Sequence, residues 1–217
     1  YRYVRDKEDC SINQESKELS LRQSLKIILV NPQSWINAFY AGFLFGPSAV
    51  IGEAMGPAYL EFGRGLSAKT AAFAIGLIFI GWGIGGPFTG WISDRIGRRK
   101  PLMIVSALCG LIFSGLFILM PSMSKWSAYT LFFLFGLTNT GVCLAYAVAS
   151  EINKRSVIGT SLAFTNMASI FVGAALQPIV GMIVDKIAGE RAFHVEQLVL
   201  ADFQYGLRIL PLCSGIA

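Results

Sequence analysis

Five stretches of this chain, roughly 35–59, 70–92, 102–120, 128–150 and 157–184, are each apolar for the length of a bilayer crossing. A hydrocarbon core about 30 Å thick needs about 20 mostly apolar residues in a helix. Lipid offers the backbone no hydrogen bonds, so a crossing segment must be a helix or part of a closed barrel. Barrel strands run to about ten residues with apolar and polar side chains alternating. The run Ala72-Phe73-Ala74-Ile75-Gly76-Leu77-Ile78-Phe79-Ile80 has no such alternation. The expected fold class is an all-α membrane protein, a polytopic transmembrane helix bundle.

A sixth run starts near Phe203 and is still apolar at Ala217, while the sequence opens on Tyr1 rather than methionine. It therefore reads as a fragment cut at both ends. Only 14% of the residues are charged, against about 25% in soluble domains. Of those 31 charges, 11 fall in the first 26 positions, which separates a polar leader, 1–34, from a transmembrane lobe, 35–217. Within the leader, Ser20 and Gln23 fit a capping box, and Leu21, Leu25 and Ile28 recur at helical spacing before Pro32. That pattern suits a short amphipathic helix at the membrane surface, with a disordered linker as the alternative.

Lysine and arginine set the orientation, because cytoplasmic loops hold the excess. Alternate loops carry 12 of them against 5, with Arg208 left inside the sixth run. The leader and the loop Arg95, Arg98, Arg99, Lys100 are therefore expected on the cytoplasmic side of an inner membrane. The net charge of +5 reflects that topology and not a nucleic-acid partner. Cys10, Cys109, Cys143 and Cys213 lack metal-ligand or paired extracellular spacing, so no metal is expected. No nucleophile, base and orienter stand in a catalytic pattern either, and His194 sits in a polar loop. Neither an enzyme nor a cofactor is expected.

The sharpest local motif is Gly90-Trp91-Ile92-Ser93-Asp94-Arg95-Ile96-Gly97-Arg98-Arg99, between the second and third spans. Gly90 would let a helix end approach a neighbour, and Gly97 permits a left-handed turn. An ordinary basic loop would account for the arginines but not for the Gly-x-x-x-Asp-Arg-x-Gly-Arg order. That order resembles the signature of the major facilitator superfamily, and the glycine-rich helix before it and the spacing of all six runs resemble half of such a twelve-helix transporter. The leader resembles the loop between the two lobes, and Gln177 to Asp185 resembles the eleventh helix, so the chain is similar to the C-terminal half. The resemblance implies a missing N-terminal half as partner. It also implies that Gly90, Asp94, Arg95, Gly97, Arg98 and Arg99 form a conformational latch between inward- and outward-open states, with a purely topogenic loop as the alternative.

Gly81-Trp82-Gly83-Ile84-Gly85-Gly86 matches a nucleotide-binding pattern literally, but it lies within an apolar helix with no strand before it. Close helix packing is its expected use, as for the pairs Gly42/Gly46, Gly52/Gly56 and Gly86/Gly90. Glu53 stands out as a carboxylate well inside a span, where a charge is costly and marks a cavity or partner. It is the candidate for carrying protons or touching solute; a structural hydrogen bond is the alternative. By resemblance, the first and fourth spans line the central cavity. Asn139 and Tyr146 on the fourth, and Asn166 and Gln177 on the fifth, recur at helical spacing as cavity candidates, with interhelical hydrogen bonding as the competing role. The third span, with only Ser106, Cys109 and Ser114, fits a lipid-facing helix. The resemblance implies alternating-access transport of a small solute, coupled to protons. The Gly46-Pro47-Ser48 and Gly52-Glu53-Ala54-Met55-Gly56-Pro57 texture of the first span resembles nutrient or metabolite uptake members, such as those for an amino acid or nucleoside. The alternatives are drug or metabolite efflux and, in another class, a membrane enzyme or a scaffold.

Overall fold

The computed structural model describes residues 19–217; the leader's first 18 positions, with Cys10, lie outside the described residues. Helix α1 (Leu21–Val30) opens with the expected capping box, in which Ser20 accepts from the Gln23 amide and the Gln23 side chain accepts from the Ser20 amide. Its buried residues are Ser24 and Ile28, whereas Leu21 and Leu25 stay exposed. The apolar residues are therefore split between two faces, one packed on the bundle and one left outside.

The first span runs Pro32–Gly63. It is α-helical over α2 (Pro32–Ala49), widens into a π turn at Val50–Met55, tightens over α3 (Gly56–Ala58) and widens again at Tyr59–Gly63. The sequence explains the first widening. Pro57 has no amide to donate back to Glu53. A Cβ on Gly56 would stand 2.0 Å from the Ile51 carbonyl, so the wide turn requires glycine there. Single π turns of this kind concentrate at functional sites.

Helix α4 (Ala68–Ile96) begins at the Ser67 cap and ends at Gly97, whose φ of 69° is left-handed, as the motif predicts. After α5 (Lys100–Leu119) the fourth span breaks into α6 (Lys125–Thr138) and α7 (Gly141–Glu151). The break has a local cause: Thr138 donates to the Leu134 carbonyl and Thr140 to the Leu137 carbonyl. Threonine hydroxyls compete in this way for helix carbonyls. The fifth span is one long helix, α8 (Ile158–Ala188), closed by Gly189. The sixth is two short ones, α9 (Leu200–Leu207) and α10 (Ile209–Ile216), joined at Arg208.

Two tight helix pairs organise the bundle. α2 lies on α8, where Cβ atoms on Gly42 and Gly46 would stand 2.6 and 2.4 Å from Val172 and Leu176. α4 lies on α6 still more closely. A Cβ on Gly81 would meet the Phe133 carbonyl at 2.5 Å, and one on Gly136 would meet the Ile78 carbonyl at 2.1 Å. Small residues allow this in lipid, where packing rather than the hydrophobic effect joins helices. Because the obstacle at Gly136 is backbone, Gly136→Ala must push α4 away. We expect it to lose about 1–3 kcal/mol, read as a fall of several degrees in Tm in detergent.

At the end opposite the arginine-rich loop, Tyr59, Phe117, Phe132, Phe135 and Phe203 form a fully buried aromatic core. Arg64 closes it by donating to the carbonyls of Phe117, Ile118 and Met120, a cation capping the α5 C-terminus, and to the Tyr59 hydroxyl. Arg191 pairs with the buried Asp202 at 2.8 Å, and Asp202 also accepts from the Val199 amide at the start of α9. One flank of α5 leaves Ile104, Val105, Leu108, Ile112, Leu116 and Leu119 exposed. Water would not tolerate so continuous an apolar flank; lipid does.

Candidate functional site

The π turn at 50–55 carries Glu53 on an exposed face of the first span. There it meets the fifth span, where Gln177 donates to the Glu53 carboxylate at 3.3 Å and to the Ala49 carbonyl at 3.4 Å. Two candidates far apart in sequence thus form one pair. Depth in a span suggests a desolvated acid, but the lobe itself does not bury Glu53. The wide turn swings it outward, past the α2–α8 contact that covers its neighbours Val50 and Ile51.

Tyr146 and Asn166 form a second pair, hydroxyl to carboxamide oxygen at 2.9 Å, joining α7 to α8. Asn166 and Gln177 lie on one side of α8, about 16 Å apart along its axis at 1.5 Å per residue. That side of α8 therefore holds two bonded polar pairs, separated by Ile170, Gly173 and Ala174. Asn139 lies elsewhere. Heptad spacing puts it on the Tyr146 face of a continuous helix, but the break between α6 and α7 turns it inward. It is fully buried and donates to the Ser48 hydroxyl, while its own Oδ1 has no partner among the described residues. Thr140 holds the same break to α4 through Thr89 at 2.8 Å.

The motif loop has its own geometry. Arg99, at the start of α5, donates to Asp94 at 2.6 Å and Ser93 at 2.9 Å, and reaches Glu151 at 3.0 Å. It thereby ties the ends of α4, α5 and α7. The carboxylates of Asp94 and Glu151 hold the Arg99 pKa above its already high ordinary value. Arg95 stacks over the Trp91 ring at 5.4 Å, and Arg98 is exposed. Gly90 makes no close approach within the lobe, since a Cβ there meets nothing within 4 Å. Gly97 does supply the left-handed turn that presents the arginines.

Several residues here were not singled out by sequence. Glu151 escaped because loop counting weighs cations alone, although its place at the end of the fourth span was a usable signal. Ser48 and Ser93 had none beyond being polar. A cleft of about 810 Å³ at the arginine-rich end, between α2, α5, α7 and α10, has Tyr40 and Ala107 in its wall and Arg99 and Glu151 at its edge. It does not include Glu53 or Gln177.

Five long apolar helices packed through glycines define a polytopic α-helical membrane protein. The chain belongs to the major facilitator superfamily, whose family model matches residues 2–178. It is 28% identical over 167 residues to the membrane sensor protein UhpC of Escherichia coli (strain K12), covering 75% of this chain and 38% of that protein. It is 26% identical over 192 residues to a probable hexose phosphate transport protein of Chlamydia pneumoniae, covering 86% and 42%. A probable 4-methylmuconolactone transporter of Cupriavidus pinatubonensis is 29% identical over 156 residues, covering 71% and 36%. The chain spans about two fifths of the length of these relatives. Among solved structures, the inward-open xylose transporter XylE from E. coli superposes with a TM-score of 0.58 at 19% identity, over 88% of this chain and 46% of that one. That likeness speaks for the fold alone.

Proposed function

We propose that this chain is the C-terminal lobe of a secondary transporter that takes up a small nutrient or metabolite by alternating access, driven by protons. Residues 1–34 form the cytoplasmic link to the N-terminal lobe, and the protein lies in the bacterial plasma membrane with its arginine-rich end inward. The observation that carries the reading is the Glu53–Gln177 pair. It couples a π-distorted first span to the fifth span through a single ionisable group. Protonating Glu53 removes the charge that accepts from Gln177 and so favours a different packing of the two helices. Asn166 and Tyr146 form a second polar pair along the solute path. At the other end, Gly90, Asp94, Arg95, Gly97, Arg98 and Arg99 act as the latch, with Arg99 as its pivot. Gly90 stays open toward the facing lobe.

A second reading comes from the relative named a membrane sensor: a protein that binds solute without moving it. The test is the full-length protein in phospholipid vesicles, screened against labelled sugars, amino acids and nucleosides with an inward acid-to-alkaline gradient. We expect saturable accumulation that collapses with a protonophore. Binding without flux would give the sensor reading instead.

A further inference from the structure

We infer, on the footing that the chain is half of a transporter, that its solute is a neutral or cationic molecule bearing hydroxyl or amino groups and not a phosphate ester. In the first, second, fourth and fifth spans, Glu53 is the one charged residue outside a terminal turn. Four arginines of the described lobe are held by protein groups, and the remaining cations lie in loops or at helix ends. Arg64 is held by three helix carbonyls and Tyr59, and Arg99 sits between Asp94 and Glu151. Arg191 is paired with Asp202, and Arg208, on the sixth span, lies over the Tyr205 ring. A phosphate inside a membrane protein is held by guanidinium or ammonium groups, because only they offset the loss of its hydration. This lobe presents the opposite charge.

The groups left without partners fit a different ligand. Four buried polar atoms have no hydrogen bond among the described residues, all of them neutral: Asn37 Oδ1 and Ser214 Oγ, of residues that line the cleft, and the acceptor Asn139 Oδ1 and donor Trp82 Nε1. The last two adjoin the same turn of α2: Trp82 packs on Phe45 with ring centroids 6.0 Å apart, and Asn139 bonds Ser48. An uncompensated buried polar group is unusual and calls for a water or a ligand. A neutral donor and acceptor on one side of α2, and a carboxylate with a carboxamide further along it, suit hydroxyl and amino groups. They leave a phosphate unmatched and repelled. The names of the hexose phosphate relatives would suggest otherwise.

The test uses one hexose skeleton in three charge states. Full-length protein in phospholipid vesicles is assayed for counterflow of labelled glucose, of glucosamine below neutral pH, and of glucose-6-phosphate. Glucose or glucosamine should exchange, with the phosphate ester at least ~10-fold slower, the scale of a like-charge contact. Glu53→Gln should narrow that gap, and Gln177→Glu should widen it in favour of glucosamine. As a check independent of turnover, the Tm of purified full-length protein should rise with glucose or glucosamine and not with inorganic phosphate. Exchange of glucose-6-phosphate at a rate equal to or above the other two overturns the inference and leaves the transporter reading intact. Response to neither glucose nor glucosamine overturns it as well. Failure of the transporter reading would show separately, as binding of glucose or glucosamine without exchange.

Discussion

Glu53→Gln is expected to abolish uphill, proton-driven accumulation, by about 100-fold or more in initial rate, while counterflow of the same solute persists. The substitution is nearly isosteric, and its carboxamide oxygen can still accept from Gln177, 3.3 Å away in the wild type. What disappears is the ability to gain and lose a proton. Counterflow needs only the cycling of loaded carrier, whereas accumulation needs the proton to be released on one side. A group that merely braces two helices would survive the change in both assays, because the hydrogen bond survives. Wild-type accumulation in the Gln variant would remove Glu53 from the coupling mechanism. Loss of both activities, with an unchanged Tm, would make its charge necessary for solute binding and would leave proton release without support from this variant.

The distinction turns on local geometry that only part of the sequence announces. The spans themselves are legible, because 20 apolar residues in lipid permit little but a helix. Ser20 and Gly97 mark helix ends by chemistry, and both act there in the structure. Glu53 is legible as an anomaly for the same reason. Its orientation is not. Pro57 shows that the ladder must open near Glu53, but whether it kinks or widens depends on Gly56 tolerating the Ile51 carbonyl at a Cβ distance of 2.0 Å. The Thr138-Asn139-Thr140 break has a similar status. Hydroxyls that can bond back to carbonyls are visible in the sequence, yet the same residues sit within many intact helices. Tertiary packing decides, here through Ser48 and Thr89. Heptad spacing would put Asn139 and Tyr146 on one face of the fourth span, and it fails because the break falls between them. Along the unbroken α8, the spacing of Asn166 and Gln177 does keep them on one side. The arginine loop divides the same way. Its order predicts a contact between spans, and loop charge counting omits the acid, Glu151, that completes it.

Arg99→Gln is the second large effect, expected to lower turnover about fivefold to tenfold with little change in stability. Arg99 is only partly exposed, but Asp94 and Glu151 are largely in solvent, at 68% and 50% side-chain exposure. Exposed ion pairs contribute about 0–1 kcal/mol each to folding, so Tm should fall by no more than a few degrees. The same increment acts differently on a bistable protein. If the α4, α5 and α7 ends are tied in one state and parted in the other, then losing about 1 kcal/mol from the tied state shifts the populations about fivefold. Turnover follows whichever state becomes scarce. Asp94→Asn and Glu151→Gln should each give part of the effect. Adding either to Arg99→Gln should add almost nothing, since both acids act through the same guanidinium. Lysine should rescue poorly, because an ammonium cannot reproduce the fork that reaches Asp94, Ser93 and Glu151 at once. Cysteine labelling on the solute face gives a readout that a topogenic loop would not move: accessibility should change in the Arg99 variant without solute. Unchanged turnover and labelling would leave the loop as a topology signal and defeat the latch.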